Sequence, residues 1–325
     1  MKKVLITGAC GFIGSHFTEL LVEKGYRVVA FDRYNSDNNW GYLENSIYKK
    51  DIEVILGDIR DYDSVKKAMK NCDEVFHLAA LIGIPYSYVS PLAYIKTNVE
   101  GTYNVLEASK ENNASNIIVT STSEVYGSAQ YVPMDEKHPL VGQSPYSASK
   151  IAADQLALSY NKSFNLPVKI ARPFNTYGPR QSLRAVIPSI ISQFKNNNKV
   201  IKAGNINAIR DFTYVTDTCE GIFQISKKKL FIGKVTNIGT SEGHSIKSII
   251  YKVQKIFDKK LKIQKELNRV RPTKSEVNTL VCNNSLLLSK TSWKPKIKFN
   301  DGLKAYATWL DKDILSRFKS NIYNV

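Results

Sequence analysis

Residues 3–32, KVLITGACGFIGSHFTELLVEKGYRVVAFD, decide the fold. The first five, KVLIT, are a short apolar run of the kind that forms a buried strand. Gly8, Gly11 and Gly14 follow, and then an amphipathic stretch that ends at Gly25. A second apolar run, RVVAFD, closes on Asp32, 18 residues after Gly14. Strand, glycine turn, helix and strand together make the start of a βαβ array. Such a turn lets the backbone approach a pyrophosphate, and the helix N-terminus favours its charge. The spacing is G-x-x-G-x-x-G rather than G-x-G-x-x-G, and by itself it also fits a tight bend with no ligand. Asp32 at the end of the second strand tips the balance. A carboxylate there accepts hydrogen bonds from an adenosine ribose and repels a 2′-phosphate, which points to NAD rather than NADP. Arg33, directly after it, is the group that would favour the 2′-phosphate.

Working outward, the same alternation continues. Strand-like runs IEVILG (52–57), EVFHLAA (74–80), NIIVTS (116–121) and VKIARPFN (168–175) are separated by helical patterns at 61–69, 98–112 and 145–165. Strands alternating with helices to about residue 170 imply an α/β fold, a Rossmann-type doubly wound parallel sheet. Asp58 after the third strand also fits a cap on the helix that follows. Past this point the pattern loosens. RPFNTYGPRQ (172–181) reads as an ordered loop, followed by a helix at 185–197, a strand at 199–204, RDFTYVTD (210–217) and another helix. We expect residues 1–172 to form the cofactor-binding domain. Residues 173–325 form mainly a smaller α/β lobe, with some segments returning to the first sheet. A C-terminal helix is expected over 301–318, and a loose end at 320–325.

Chemistry concentrates in residues 121–150, STSEVYGSAQYVPMDEKHPLVGQSPYSASK. Tyr146 and Lys150 stand four residues apart at the start of a helix, one above the other on a single face. An ammonium beside a phenol favours the phenolate, so the tyrosine's pKa is expected to fall toward working pH. Tyr146 is then a candidate acid–base for a hydroxyl. A lone Tyr-x-x-x-Lys is also common on solvated helices. Thr122, Ser123 and Glu124 follow the NIIVTS strand, at the edge where open α/β sheets bind ligands. Ala79 and Ala80 are small enough to let a cofactor approach, and His77 reads as a packed core histidine.

Composition excludes several classes. The 325 residues are 43% hydrophobic and 23% charged, ordinary for a soluble globular protein. No apolar run reaches about 18 residues, so no membrane helix is expected. The N-terminus reads as a first strand rather than a secretory signal. Cys10, Cys72, Cys219 and Cys282 are scattered, which suits a reduced, cytoplasmic protein. The four histidines are dispersed, and no metal site is indicated. The net charge of +17 raises the question of nucleic acid. The lysines are spread along the chain without a nucleic-acid motif, so a solvated lysine surface is expected and no nucleic-acid partner. A few arginines would neutralise an anionic nucleotide substrate.

GACGFIG, FHLAA, STSEVYG, YSASK, RPFNTYGPRQ, RDFTYVTD and NIG occur in one order along nearly the whole chain. In this the chain resembles the extended short-chain dehydrogenase/reductases that modify nucleotide sugars, the NAD-dependent epimerases and dehydratases. The resemblance implies an NAD site of Gly8, Gly11, Phe12, Ile13, Gly14, Asp32, Asp58, Ile59, Leu78, Ala79, Ala80, Asn98, Tyr146 and Lys150. Asp58 and Ile59 would lie beside the adenine, and Asn98 would be structural. It implies a sugar pocket at Pro85, Tyr86 and Ser87. Asn175, Arg210 and Arg271 would meet the substrate diphosphate, with Arg184 a further candidate in the same lobe. Thr122, Ser123, Glu124, Tyr146 and Lys150 would be catalytic. Glu124 stands where epimerases of the family tend to have a small residue, so the resemblance favours a 4,6-dehydratase. Thr-Ser-Glu is similar to the GDP-mannose type rather than to the Thr-Asp-Glu of dTDP-glucose dehydratases. RYNSDNNWGYLE, AALIGIPYSY, STSEVYGSAQYVPMDEKHPL and RPTKSEV resemble the dehydratases that act on GDP-N-acetylglucosamine in legionaminic acid biosynthesis. UDP- and dTDP-sugars, and a 4-epimerase or decarboxylase activity, stay open at this point. A dinucleotide-sensing module without turnover fits less well, because the tyrosine, the lysine and Glu124 are all present. The resemblance also implies a homodimer through a four-helix seam of residues 98–112 and 145–165.

Overall fold

The computed structural model describes residues 1–316. The strands β1 (Lys3–Thr7), β2 (Arg27–Arg33), β3 (Ile52–Gly57), β4 (Glu74–His77), β5 (Asn116–Thr120) and β6 (Val168–Pro173) all pair in parallel. β7 (Asn175–Tyr177), β8 (Val200–Ala203) and β9 (Ile209–Tyr214) leave that sheet, and β10 (Val235–Ile238) returns to its edge beside β6. The seven-stranded order is β10-β6-β5-β4-β1-β2-β3. The chain therefore winds outward from β1 in both directions, and the crevice lies above the carboxyl ends of β1 and β4, where the winding reverses. This is the expected Rossmann-type α/β sheet.

Alternation along β1 shows how the sheet buries both faces. Leu5 packs on one side with Val65, Val105 and Ala157, from α2 (Tyr62–Met69), α5 (Gly101–Glu111) and α6 (Pro145–Phe164). Val4 and Ile6 pack on the other with Phe17 and Ile222, from α1 (Phe12–Glu23) and α8 (Val215–Lys227). A strand sandwiched this way reads as a continuous apolar run, which is what KVLIT is. A third core, built on Ile190, Ile191, Phe212, Ile249 and Leu303, belongs to the later segments. There β9 pairs with β7, with β11 (Gly243–Ser245) and with β13 (Thr279–Leu280), while β12 (Lys262–Lys265) pairs with β8.

Four expectations change in detail. The fourth strand ends at His77 rather than residue 80. Leu78 still donates to the Thr7 carbonyl, but Leu81 is captured by the Asn98 side chain and the chain bends away. The 172–181 loop contains β7, because Asn175–Tyr177 find partners on β9 that local sequence does not reveal. The helix expected over 98–112 begins as a π-helical turn, Ile95–Glu100, before α5. The C-terminal helix stops at Trp309 and restarts at Lys312–Ser316, because Leu310 leaves helical geometry at ψ 65°. Residues 317–318 of that helix and the end at 320–325 lie outside the described residues.

Candidate active site

The glycine turn fits a bound dinucleotide. Gly8 has φ +73°, and a Cβ there would meet the Ala79 backbone at 2.8 Å. Gly14 packs so tightly that its Cβ would stand 1.9 Å from the Gly8 carbonyl oxygen. Gly11 differs: a Cβ would find only that oxygen, at 3.4 Å, and the residue is exposed. Two glycines thus clamp the turn and the third leaves open space above it. Gly11 also caps α1 without a side-chain hydrogen bond, so the first-turn amides of Phe12 and Ile13 are available to an anion. The Asp32 carboxylate accepts from the Cys10 amide at 2.6 Å and the Arg33 amide at 2.7 Å. Each oxygen keeps a further lone pair for a ribose hydroxyl. Ile59 is buried, and Asp58 forms a salt bridge with Arg60, which lowers its pKa. The cap on α2 is Asp61, which accepts from the Asp63 and Ser64 amides, so Asp58 does not play that part.

Asn98 joins three pieces of the crevice. Its amide exchanges hydrogen bonds with the backbone of Leu81 and donates to Ser149 on α6 at 2.9 Å. His77 bridges the Thr7 and Thr102 hydroxyls at 2.7 and 3.0 Å, and burial lowers its pKa to about 3. It is a neutral core residue, as expected.

The helix that carries the tyrosine and lysine starts with a reciprocal cap between Ser144 and Ser147, with Pro145 in its first turn. Tyr146 and Lys150 are both buried. Lys150 donates to the Thr120 carbonyl at 2.7 Å, which ties the helix to the end of β5. The expected fall in the Tyr146 pKa does not appear. Burial drives it well above the ordinary tyrosine value, and a hydrogen bond to Thr122 opposes this only in part. Lys150 has its own charge disfavoured by burial, with Asp154 working the other way. For both groups burial is the largest influence, and it disfavours the charged form of each.

The turn Ser123–Tyr126 holds Glu124, whose amide donates to Thr122 Oγ1 at 3.3 Å. Glu124 and Ser123 are buried, at 8% and 2% exposure. The partner of Glu124 is Arg271, Nη1 to Oε2 at 3.3 Å. Burial acts against the Arg271 charge, but Glu124 and Glu276 outweigh it and raise its pKa. Arg210 is nearly enclosed, with Glu276 at 3.8 Å, and it also feels Glu124 and Arg271. Two arginines and two glutamates thus meet at one point.

Other expected site residues sit as follows. Pro85, Tyr86 and Ser87 lie in α3 (Ile84–Val89). Tyr86 is exposed at 38%, while the Ser87 hydroxyl is fully buried and donates to the Ile84 carbonyl. Asn175 leaves its Oδ1 buried without a hydrogen-bond partner, an acceptor available to a ligand donor. Arg184 is exposed, close enough to Tyr94 to influence it.

One buried pair was not singled out from sequence. Asp154, four residues after Lys150, accepts from Arg172 at 2.8 Å and from Ser121 at 2.5 Å. Arg172 also lies over the Tyr126 ring at 4.7 Å. The helical spacing Tyr146, Lys150, Asp154 was the available signal.

Nearly the whole chain is also similar to known proteins. The family described as GDP-mannose 4,6-dehydratase matches residues 5–306. A dTDP-D-glucose 4,6-dehydratase from Homo sapiens is 31% identical over 95% of this chain and 89% of its own. A putative UDP-glucose 4-epimerase from Methanocaldococcus jannaschii is also 31% identical, over 94% and 98%. The crystal structure of the dTDP-glucose 4,6-dehydratase DesIV from Streptomyces venezuelae, with NAD bound, superposes with a TM-score of 0.87. It shares 25% identity and covers 95% of this chain and 96% of its own. The chain belongs to the NAD-dependent epimerase/dehydratase family of extended short-chain dehydrogenase/reductases. It is an NAD-dependent enzyme of the nucleotide-sugar 4,6-dehydratase class.

Proposed function

We propose that the protein converts GDP-N-acetylglucosamine to its 4-keto-6-deoxy derivative. The observation that carries the dehydratase reading is Glu124, a buried carboxylate in the same turn as Thr122, which hydrogen-bonds Tyr146. Relatives with epimerase and dehydratase names are alike 31% identical to this chain, and Glu124 supports the dehydratase class from the side of the chemistry.

NAD, when bound over the glycine turn and Asp32, supplies the hydride acceptor at carbon 4 and the donor at carbon 6. Tyr146, hydrogen-bonded by Thr122, would take the proton of the 4-hydroxyl as the phenolate. The bound site therefore has to supply the positive charge that offsets the burial raising its pKa in the free protein, with Lys150 one turn along the helix. The resulting ketone acidifies the proton on carbon 5. Glu124 removes that proton and delivers it to the 6-hydroxyl, which departs as water. Ser123, a weak acid, lines this step. Asn175, Arg210 and Arg271, with Arg184 at the rim, meet the diphosphate, and Pro85 and Tyr86 face the sugar. Ser87, whose buried hydroxyl is bound to the Ile84 carbonyl, supports their helix from behind. The guanine and N-acetylglucosamine assignments rest on the sequence resemblance. A cytoplasmic homodimer through α5 and α6 fits the exposed Tyr103 and Phe164 on those helices and Leu92 and Ile95 beside them.

Incubation with GDP-N-acetylglucosamine, GDP-mannose and UDP- and dTDP-sugars, followed by mass spectrometry, tests the proposal. Loss of one water from the GDP-N-acetylglucosamine is expected. An unchanged mass with altered stereochemistry would establish epimerisation instead.

A further inference from the structure

We propose that Arg271 guards Glu124: in the free protein its guanidinium occupies the carboxylate, and an arriving diphosphate draws it away and leaves Glu124 free to act. The inference rests on the dehydratase reading of Glu124. The two arginines at this point are held differently. Arg210 is 6% exposed and donates to the Ile209 carbonyl at 2.9 Å, so it is fixed in β9. Arg271 is 23% exposed and stands in irregular backbone between two short turns, Leu267–Arg269 and Thr273–Ser275. The Arg271 side chain is the more exposed of the two, while its loop is fastened. Ser275 donates to the Gln143 carbonyl and meets the Tyr88 hydroxyl at 2.6 Å, and Gln143 donates to the Lys274 carbonyl at 3.0 Å. Gln143 immediately precedes the cap of the helix that carries Tyr146.

Charge supplies the rest. While the guanidinium holds Oε2 at 3.3 Å, that oxygen is turned to Arg271 rather than to a substrate proton. A diphosphate offers two adjacent anionic groups that the planar guanidinium fork engages bidentately, which one carboxylate oxygen at 3.3 Å does not match. The site would then withhold its base until the charged part of the substrate is seated.

Exchange of the carbon-5 proton in deuterium oxide tests this in the NAD-loaded enzyme. Glu124 takes the proton from a 4-keto-6-deoxy sugar and returns a deuteron, with no net redox change. The probe is the methyl glycoside of that sugar at high concentration, which lacks the diphosphate. Wild-type exchange should be slow, and inorganic pyrophosphate should accelerate it about tenfold or more, the scale of a charged hydrogen bond. Arg271→Gln should exchange faster without pyrophosphate and gain nothing from it. Arg271→Lys, whose ammonium cannot engage a diphosphate bidentately, should respond to pyrophosphate more weakly than wild type. The pyrophosphate titration needs no variant, so a misfolded Arg271→Gln leaves the test standing. If the nucleotide-linked 4-keto sugar exchanges through Glu124 but pyrophosphate has no effect on the glycoside, the guard is overturned and the dehydratase reading survives. If even the nucleotide-linked sugar fails to exchange, both fall.

Discussion

Gly14→Ala and Gly11→Ala, two residues of one motif, should fail in opposite ways. At Gly14 the new methyl would lie 1.9 Å from the Gly8 oxygen and 2.9 Å from Ala9 Cα. The first distance is roughly 1.5 Å inside van der Waals contact. Gly8 is itself held in the turn, its amide donating to the Phe31 carbonyl at 2.8 Å, so its carbonyl cannot retreat without disturbing that bond. The cost should be about 3 kcal/mol or more, at or beyond the upper end of overpacking. At Gly11 the nearest atom is 3.4 Å away, and φ is −78°, which alanine adopts freely. Only the weaker capping of alanine remains, about 1 kcal/mol at most. The Gly11→Ala methyl would, however, fill the space above the turn, so NAD affinity should fall about tenfold or more, roughly 1.4 kcal/mol. Urea unfolding of NAD-free protein measures the first effect, free of the stabilisation that bound NAD adds. Calorimetric NAD titration measures the second. A Gly14→Ala protein that unfolds within about 1 kcal/mol of wild type and binds NAD normally would refute the reasoning. So would a Gly11→Ala protein destabilised as much as Gly14→Ala.

Glu124→Gln should keep nucleotide-sugar and NAD binding but abolish loss of water, read by mass spectrometry; near-normal dehydration would remove the carboxylate from the mechanism. Tyr146→Phe should lower turnover by about 10²-fold or more, the scale of general acid–base catalysis. Asp32→Ala should relax discrimination against NADP, measured as the ratio of the two cofactor affinities, whereas an unchanged ratio would assign it to another group. Burial lowers the pKa of His16 to about 4 and of His77 to about 3, against 6.5 when unfolded. Both are depressed, so their stability contribution is complete above pH 6.5 and is lost as pH falls toward 4. Each unit below 6.5 should cost up to about 1.4 kcal/mol per histidine, and urea midpoints that stay flat between pH 7 and pH 5 would contradict this.

The frame of this protein is legible because its signals are local. Three apolar residues, Val4, Leu5 and Ile6, before a glycine turn, and a carboxylate ending the next strand, lie within one short stretch of the chain. Tyr146 and Lys150 share a helix face by spacing alone. What sequence could not supply is tertiary. Glu124 and Arg271 lie 147 residues apart, and no pattern near either announces the pair. β7 exists because β9 lies alongside it. The Tyr146 pKa is the instructive failure: the lysine four residues on is visible in the sequence, but the burial that raises the tyrosine belongs to the whole fold.

The protein's overall charge and the charge of its site answer to different physics. Lys49, Lys50, Lys66, Lys67, Lys227, Lys228, Lys229, Lys259, Lys260 and Lys262 are all exposed, so much of the +17 lies in solvent, where screening leaves it little influence on the crevice. At the proposed reaction centre the arginines and glutamates come in equal number, Arg210 and Arg271 against Glu124 and Glu276. That balance keeps buried charge compensated in the free protein. A diphosphate upsets it by adding negative charge beside the glutamates, and the arginines can answer both only by releasing one carboxylate. Seating the substrate's charge and freeing its base would then be one event, an economy unavailable to a site whose arginines had no acidic partners.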